Sequence, residues 1–214
     1  MPKKGTVVLD PGHGGNMEVG GSSANNAVSP SGVLEKNVVL RVAFLIREEL
    51  QLAAKQGGHS IKVVLTRESD VNLGLAQRAA IANTNKANLF LSIHCNASTG
   101  HTARGVETLV RPQSAGNTNY ADDKKFAQLI QTAVFNTVKK YDPNTKDRLV
   151  KDQVLGVLKD ESLGPNVRAC LVELEFIDIK AVDELLNIGE NALVVLRDLA
   201  KAIANALIAA LPAA

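Results

Sequence analysis

Two short apolar runs, each ending at a histidine, constrain this chain most. Thr6-Val7-Val8-Leu9-Asp10 breaks at Pro11-Gly12-His13-Gly14-Gly15, and Leu89-Phe90-Leu91-Ser92-Ile93 leads into His94-Cys95-Asn96. Further strand-like runs fall at 61–66, 105–110 and 169–175, with a weaker one at 154–158. Helical stretches lie between them. Residues 35–54 carry Val38, Val42, Leu45 and Ile46 on one face, and Gly57-Gly58 supplies the stop. The others span 74–86, 122–140 and 191–211. Strands alternating with helices predict one α/β domain with a largely parallel sheet, spanning 1–214. In such a sheet ligands bind beyond the carboxyl ends of the strands. Imidazoles held there with a carboxylate near by suggest a metal, and zinc is the first candidate.

Composition narrows the rest. A chain of 214 residues is long enough for one sizeable core, and with no Trp and 3% aromatics that core is aliphatic. A net charge of +2 excludes a strongly basic nucleic-acid binder but leaves room for an anionic polymer as substrate. Cys95 and Cys170 both fall in core strands and read as buried free thiols. The start, Met1-Pro2-Lys3-Lys4, shows no apolar signal-peptide region. Arg197, Asp198 and Lys201 interrupt the last apolar segment, which reads as a packed helix and not a membrane span. Turn-rich stretches at 16–32, 96–104, 111–121 and 141–148 read as loops, and those at 16–32 and 111–121 are expected to flank the site.

Four residues carry the chemistry. His13 sits on a glycine-rich turn that permits close approach to a ligand. Glu35 opens the first long helix, where the macrodipole alone would favour a carboxylate. His94 ends an apolar strand. Glu173 lies inside Ala169-Cys170-Leu171-Val172-Glu173-Leu174-Glu175-Phe176, where an acid costs several kcal/mol unless it is paired or working. A general base beside an activated water would explain it, and a buried ion pair is the competing account. Glu175 is expected to face the same side, with Arg67 or Arg78 as a candidate partner. Arg67 and Arg78 read as structural ion-pair partners, and His59 and His101 are left outside the site.

Together these segments resemble the zinc-dependent N-acetylmuramoyl-L-alanine amidases. The matching pieces are Val-Val-Leu-Asp-Pro-Gly-His-Gly-Gly (7–15), Leu-Glu-Lys-Asn (34–37), Leu-Thr-Arg (65–67) with Asp70, and Gln-Arg-Ala (77–79) with Ala82-Asn83. Ser-Ile-His-Cys-Asn-Ala (92–97), Gly-Val-Glu (105–107) and Leu-Val-Glu (171–173) complete the set. The resemblance implies a twisted, mainly parallel sheet of about six strands with helices on both faces. It implies zinc on His13, Glu35 and His94, and Glu173 as the catalytic glutamate. It also implies hydrolysis of the amide between N-acetylmuramic acid and L-alanine in peptidoglycan, in the periplasm or the extracellular wall.

The chain departs from the family pattern at Cys95, Glu175 and Asp178-Ile179, which touches groove shape more than chemistry. Some relatives carry an extra helix that blocks the zinc until an activator moves it. The stretch between His94 and Asp122 is too short and polar for one, so an open site of the phage-lysin or free-standing autolysin kind is expected. The protein is expected to be a monomer that binds peptidoglycan, with no nucleic acid and no membrane span. A zinc peptidase cutting within the stem peptide and an inactive wall-binding module stay open as alternatives.

Overall fold

The computed structural model describes residues 1–214. The first apolar run forms β1 (Lys4–Pro11), and α1 (Glu35–Gly57) follows after a long loop. Gly58, with φ 64°, ends α1 by sending its N–H back to the carbonyl of Ala54. Then come β2 (Ser60–Leu65), α2 (Leu75–Thr84), β3 (Leu89–Asn96), β4 (Val106–Val110), α3 (Tyr120–Tyr141), β5 (Asp147–Asp152), α4 (Asp160–Leu163), β6 (Arg168–Phe176), α5 (Lys180–Asp183) and α6 (Ala192–Ala210). No helix is long and apolar enough to cross a membrane.

The six strands form one sheet in the order β2-β1-β3-β6-β4-β5. β2, β1, β3 and β6 run parallel, whereas β4 is antiparallel to β6 and parallel to β5. The central strands are covered on both faces, which is why they read as unbroken apolar runs. Val7, Leu9, Leu91, Ile93 and Val172 join the larger core with α1, α3 and α6. Val8, Phe90, Leu109 and Leu171 join the smaller core with Ala79 and Ala82 of α2. The expected α/β fold with helices on both faces is the one observed. Cys95 and Cys170 are buried free thiols.

Three expectations are corrected. The sixth strand is Asp147–Asp152 and not 154–158. Edge strands tolerate charge, so this one lacks an apolar signature. Val157 and Leu158 instead lie on a 3-10 turn, Gly156–Leu158, pressed into the smaller core. The loop 111–121 lies at the far end of the sheet from His94, because β4 is reversed, and Asn119 there donates to the Val167 carbonyl before β6 begins. Glu175 pairs with neither Arg67 nor Arg78. A bulge sets His94 opposite Glu173 but Asn96 opposite Phe176. Glu175, fully buried, accepts from Gly105 N, Phe176 N, Thr145 Oγ1 and Arg104.

Candidate metal centre and its neighbouring carboxyl

His13 lies two residues past the end of β1, in the left-handed backbone region at φ 60°. This is a strained conformation for a residue with a side chain and is held from outside. Arg78 donates to the carbonyls of Pro11 and His13, and Arg67 to those of Pro11 and Gly12. Beneath the turn, Asp10 is wholly buried and accepts from Thr66 Oγ1 at 2.6 Å, Ser92 Oγ at 2.7 Å and Arg78 at 2.9 Å. Burial works to raise the Asp10 pKa, yet Arg78 and the two hydroxyls hold it below the usual carboxylate value. Gly12 is required for a different reason. A Cβ there would lie 2.2 Å from Cε1 of His94, so the bare backbone makes room for the second imidazole.

The turn, the start of α1 and the end of β3 bring three side chains together. Glu35 Oε1 lies 3.2 Å from His13 Nε2 and 3.1 Å from His94 Nδ1. One ligand atom from each of the three falls within 4.8 Å of the others. The carboxylate is fixed by backbone donors, Cys95 N to Oε1 at 3.0 Å and Ala27 N to Oε2 at 3.1 Å. His13 Nδ1 is 3.0 Å from both the carbonyl and the hydroxyl oxygen of Ser23, which fixes the ring and turns Nε2 toward Glu35. That Nε2 is buried and has no hydrogen-bond partner. Burial works to raise the Glu35 pKa, but the imidazoles of His13 and His94 hold it down to about 2.

This donor set fits a zinc ion. Two imidazole nitrogens and a carboxylate oxygen are ordinary zinc ligands. An orphaned, buried Nε2 aimed at a pinned carboxylate is what a cation between them would satisfy.

Glu173 sits on β6 directly opposite His94 on β3. Its Oε2 is buried without a partner. Burial first, then the charges of Glu35 and Glu107, push its pKa well above the usual carboxylate range. The four residues singled out from the sequence therefore meet at one place. His59 and His101 do not join them. His59 accepts from Lys3 N, and His101 lies beside Asp178.

Residues 7–209 match the N-acetylmuramoyl-L-alanine amidase family, Amidase_3. The chain belongs to that family. It is 34% identical over 180 residues to the endolysin of Bacillus phage SPP1, covering 84% of this chain and 58% of that one. It is 35% identical over 148 residues to the germination-specific N-acetylmuramoyl-L-alanine amidase of Bacillus subtilis, covering 61% of this chain and 53% of that one. The chain thus spans a little over half the length of these curated relatives. The crystal structure of an N-acetylmuramoyl-L-alanine amidase from Clostridium difficile superposes with a TM-score of 0.75 at 30% identity, covering 97% of this chain and 96% of that one. The catalytic domain of CwlV, from Bacillus (Paenibacillus) polymyxa var. colistinus, gives 0.73 at 26%, covering 95% and 96%.

Two features of this amidase-family site were not assigned from the sequence. Ala27 N and Ser23 come from the loop before α1, which carries no periodic signal. Glu107 stands in the sequence within Gly-Val-Glu (105–107). It faces Glu173 across β4 and β6, and an acid in an apolar strand was the same signal that singled out Glu173.

Proposed function

We propose that this chain is a zinc-dependent N-acetylmuramoyl-L-alanine amidase acting on peptidoglycan, in the periplasm or the extracellular wall. The observation that carries the reading is a partnerless, buried Glu173 Oε2 on the strand beside His94, which itself lies 3.1 Å from Glu35. His13, Glu35 and His94 would hold the zinc. When bound there, zinc polarises a carbonyl and lowers the pKa of a water toward about 7.

The chain's own part is proton handling and placement. Glu173 takes a proton from the attacking water as its oxygen bonds to the lactyl carbonyl carbon. The carbon–nitrogen bond then breaks, and Glu173 returns the proton to the departing nitrogen of L-alanine. Its products are a lactyl carboxylate and a free amine, and Glu173 ends as it began. Ser23, Ala27 N and Cys95 N orient His13 and Glu35 throughout. The only helical turn between β3 and α3 is Gln113–Ala115, on the loop at the other end of the sheet, which supports an open site of the endolysin or autolysin kind.

Stripping the metal with a chelator should abolish digestion of purified peptidoglycan, and zinc should restore it. Full digestion by metal-free protein contradicts the reading.

A further inference from the structure

The strand order places reactive side chains in a row. His94 on β3 is in register with Glu173 on β6, and Glu173 with Glu107 on β4. Beyond Glu107, at the sheet's edge, Arg148 Nε donates to its Oε2 at 2.8 Å and Lys151 Nζ at 2.5 Å. The proposed reaction uses His94 and Glu173 and leaves the basic edge without a role.

That edge is built, not incidental. Residues 148 and 151 are an odd number apart, so a regular strand would point them to opposite faces. Leu149 between them adopts φ 68°, and the β4–β5 register shifts over this segment. Leu149 is 60% exposed and gains no burial in return. The irregularity brings both cations to Glu107, while Asp147 and Asp152 bond Gln131 and Tyr120 of α3 on the other face. Arg148 also lies over the Phe176 ring, 5.1 Å from its centre. Glu107 meets two positive charges with one negative. The side chains of Arg148 and Lys151 remain 34% and 43% exposed, so a net positive charge faces solvent beside the site.

The proposed amidase reaction, on which this inference rests, gives the substrate a direction. In that reaction the acyl carbon would lie by His13, Glu35 and His94, and the leaving nitrogen by Glu173. A peptide leaving past Glu173 on that side would meet β4 and the two cations held on Glu107 next. The cationic groups of both side chains lie on Glu107, one strand spacing of about 4.8 Å from Glu173, and an extended chain covers that within about two residues. We propose that Arg148 and Lys151 form a subsite for a carboxylate of the stem peptide, that of the residue following L-alanine, with Glu107 holding both cations in place.

The test uses two soluble peptidoglycan fragments with identical glycan strands. In one the second stem residue carries a free carboxylate (D-glutamate), and in the other that group is an amide (D-isoglutamine). Each is given to zinc-loaded wild type, to Arg148→Met, to Lys151→Met and to the double variant. The wild type should prefer the carboxylate about tenfold in kcat/KM, as expected for a partly exposed charged hydrogen bond. The preference should shrink in each single variant and fall to about one in the double. Each ratio is taken within a single preparation, so loss of folded protein cancels. Equal cleavage of both fragments by wild type overturns the subsite and leaves the amidase reading standing, as does a preference that survives in the double variant. Failure of wild type to cut either fragment at the lactyl–L-alanine bond overturns both.

Discussion

His94 and Glu173 are direct partners across β3 and β6, so imidazole and carboxyl project from the same face of adjacent strands. Glu173 nevertheless stands outside the group formed by His13, Glu35 and His94, so the proposed proton transfer can be tested apart from metal binding. Glu173→Gln keeps the shape and removes the proton acceptor. It should lower kcat by roughly 10²–10⁴-fold while zinc still binds one per chain by metal analysis. A variant that retains turnover would remove Glu173 from the mechanism.

Gly12→Ala tests the turn. The added Cβ would meet the His94 ring at 2.2 Å, and the ring must move off its position beside Glu35. The variant should fold, by circular dichroism, yet lose zinc to a competing chelator at least tenfold more readily than wild type. Unchanged zinc affinity would show that His94 is not a ligand.

Zinc should also raise the melting temperature, since a ligand at 100 times its dissociation constant stabilises by about 2.7 kcal/mol. The rise should disappear in Glu35→Ala. Calorimetry with and without zinc reads it, and an equal rise in the variant would place the ion elsewhere.

The Asp10–Arg78 pair is wholly buried beneath the site. Asp10→Ala leaves the guanidinium uncompensated and should cost about 3–5 kcal/mol, read by denaturant unfolding. A cost below about 1 kcal/mol, the range of an exposed ion pair, would show that the pair does not brace the turn.

Asp123, at the start of α3, gives a pH dependence of its own. Burial raises its pKa to about 7, with Asp160 and Asp122 adding to the rise, against donations from Ala169 N and Asn117. A carboxyl with a raised folded pKa favours folding below its unfolded value, near 3.8, and that contribution is lost as pH rises through about 7. Asp123→Asn should therefore flatten the fall in unfolding free energy between pH 4 and 8. An identical pH slope in the variant would contradict this.

The same physical rule explains what could and could not be read in the sequence. A strand buried on both faces is an apolar run, so β1, β3 and β6 were legible. His13, His94 and Glu173 stood out as polar residues at the ends or interior of such runs. Glu35 was less legible, since a helix N-terminus would favour a carboxylate anyway, and only the loop that starts just beyond His13 and the resemblance drew it to the site. β5 was not legible, because an edge strand with one partner tolerates Asp, Arg and Lys. Reversal of β4 leaves no mark in its composition, and it moved the loop at 111–121 away from the site. The bulges at Leu149 and near Glu175 depend on pairing with distant strands, and they decide which charges face Glu107 and which face away.

The bond that is cut decides between an amidase and a peptidase. Zinc-loaded protein should be incubated with purified peptidoglycan and the soluble products analysed by mass spectrometry. Stem peptides beginning at L-alanine, with glycan strands left intact, are the predicted products. Fragments cut within the stem peptide, or sugar-bearing peptides still joined at the lactyl group, would contradict it.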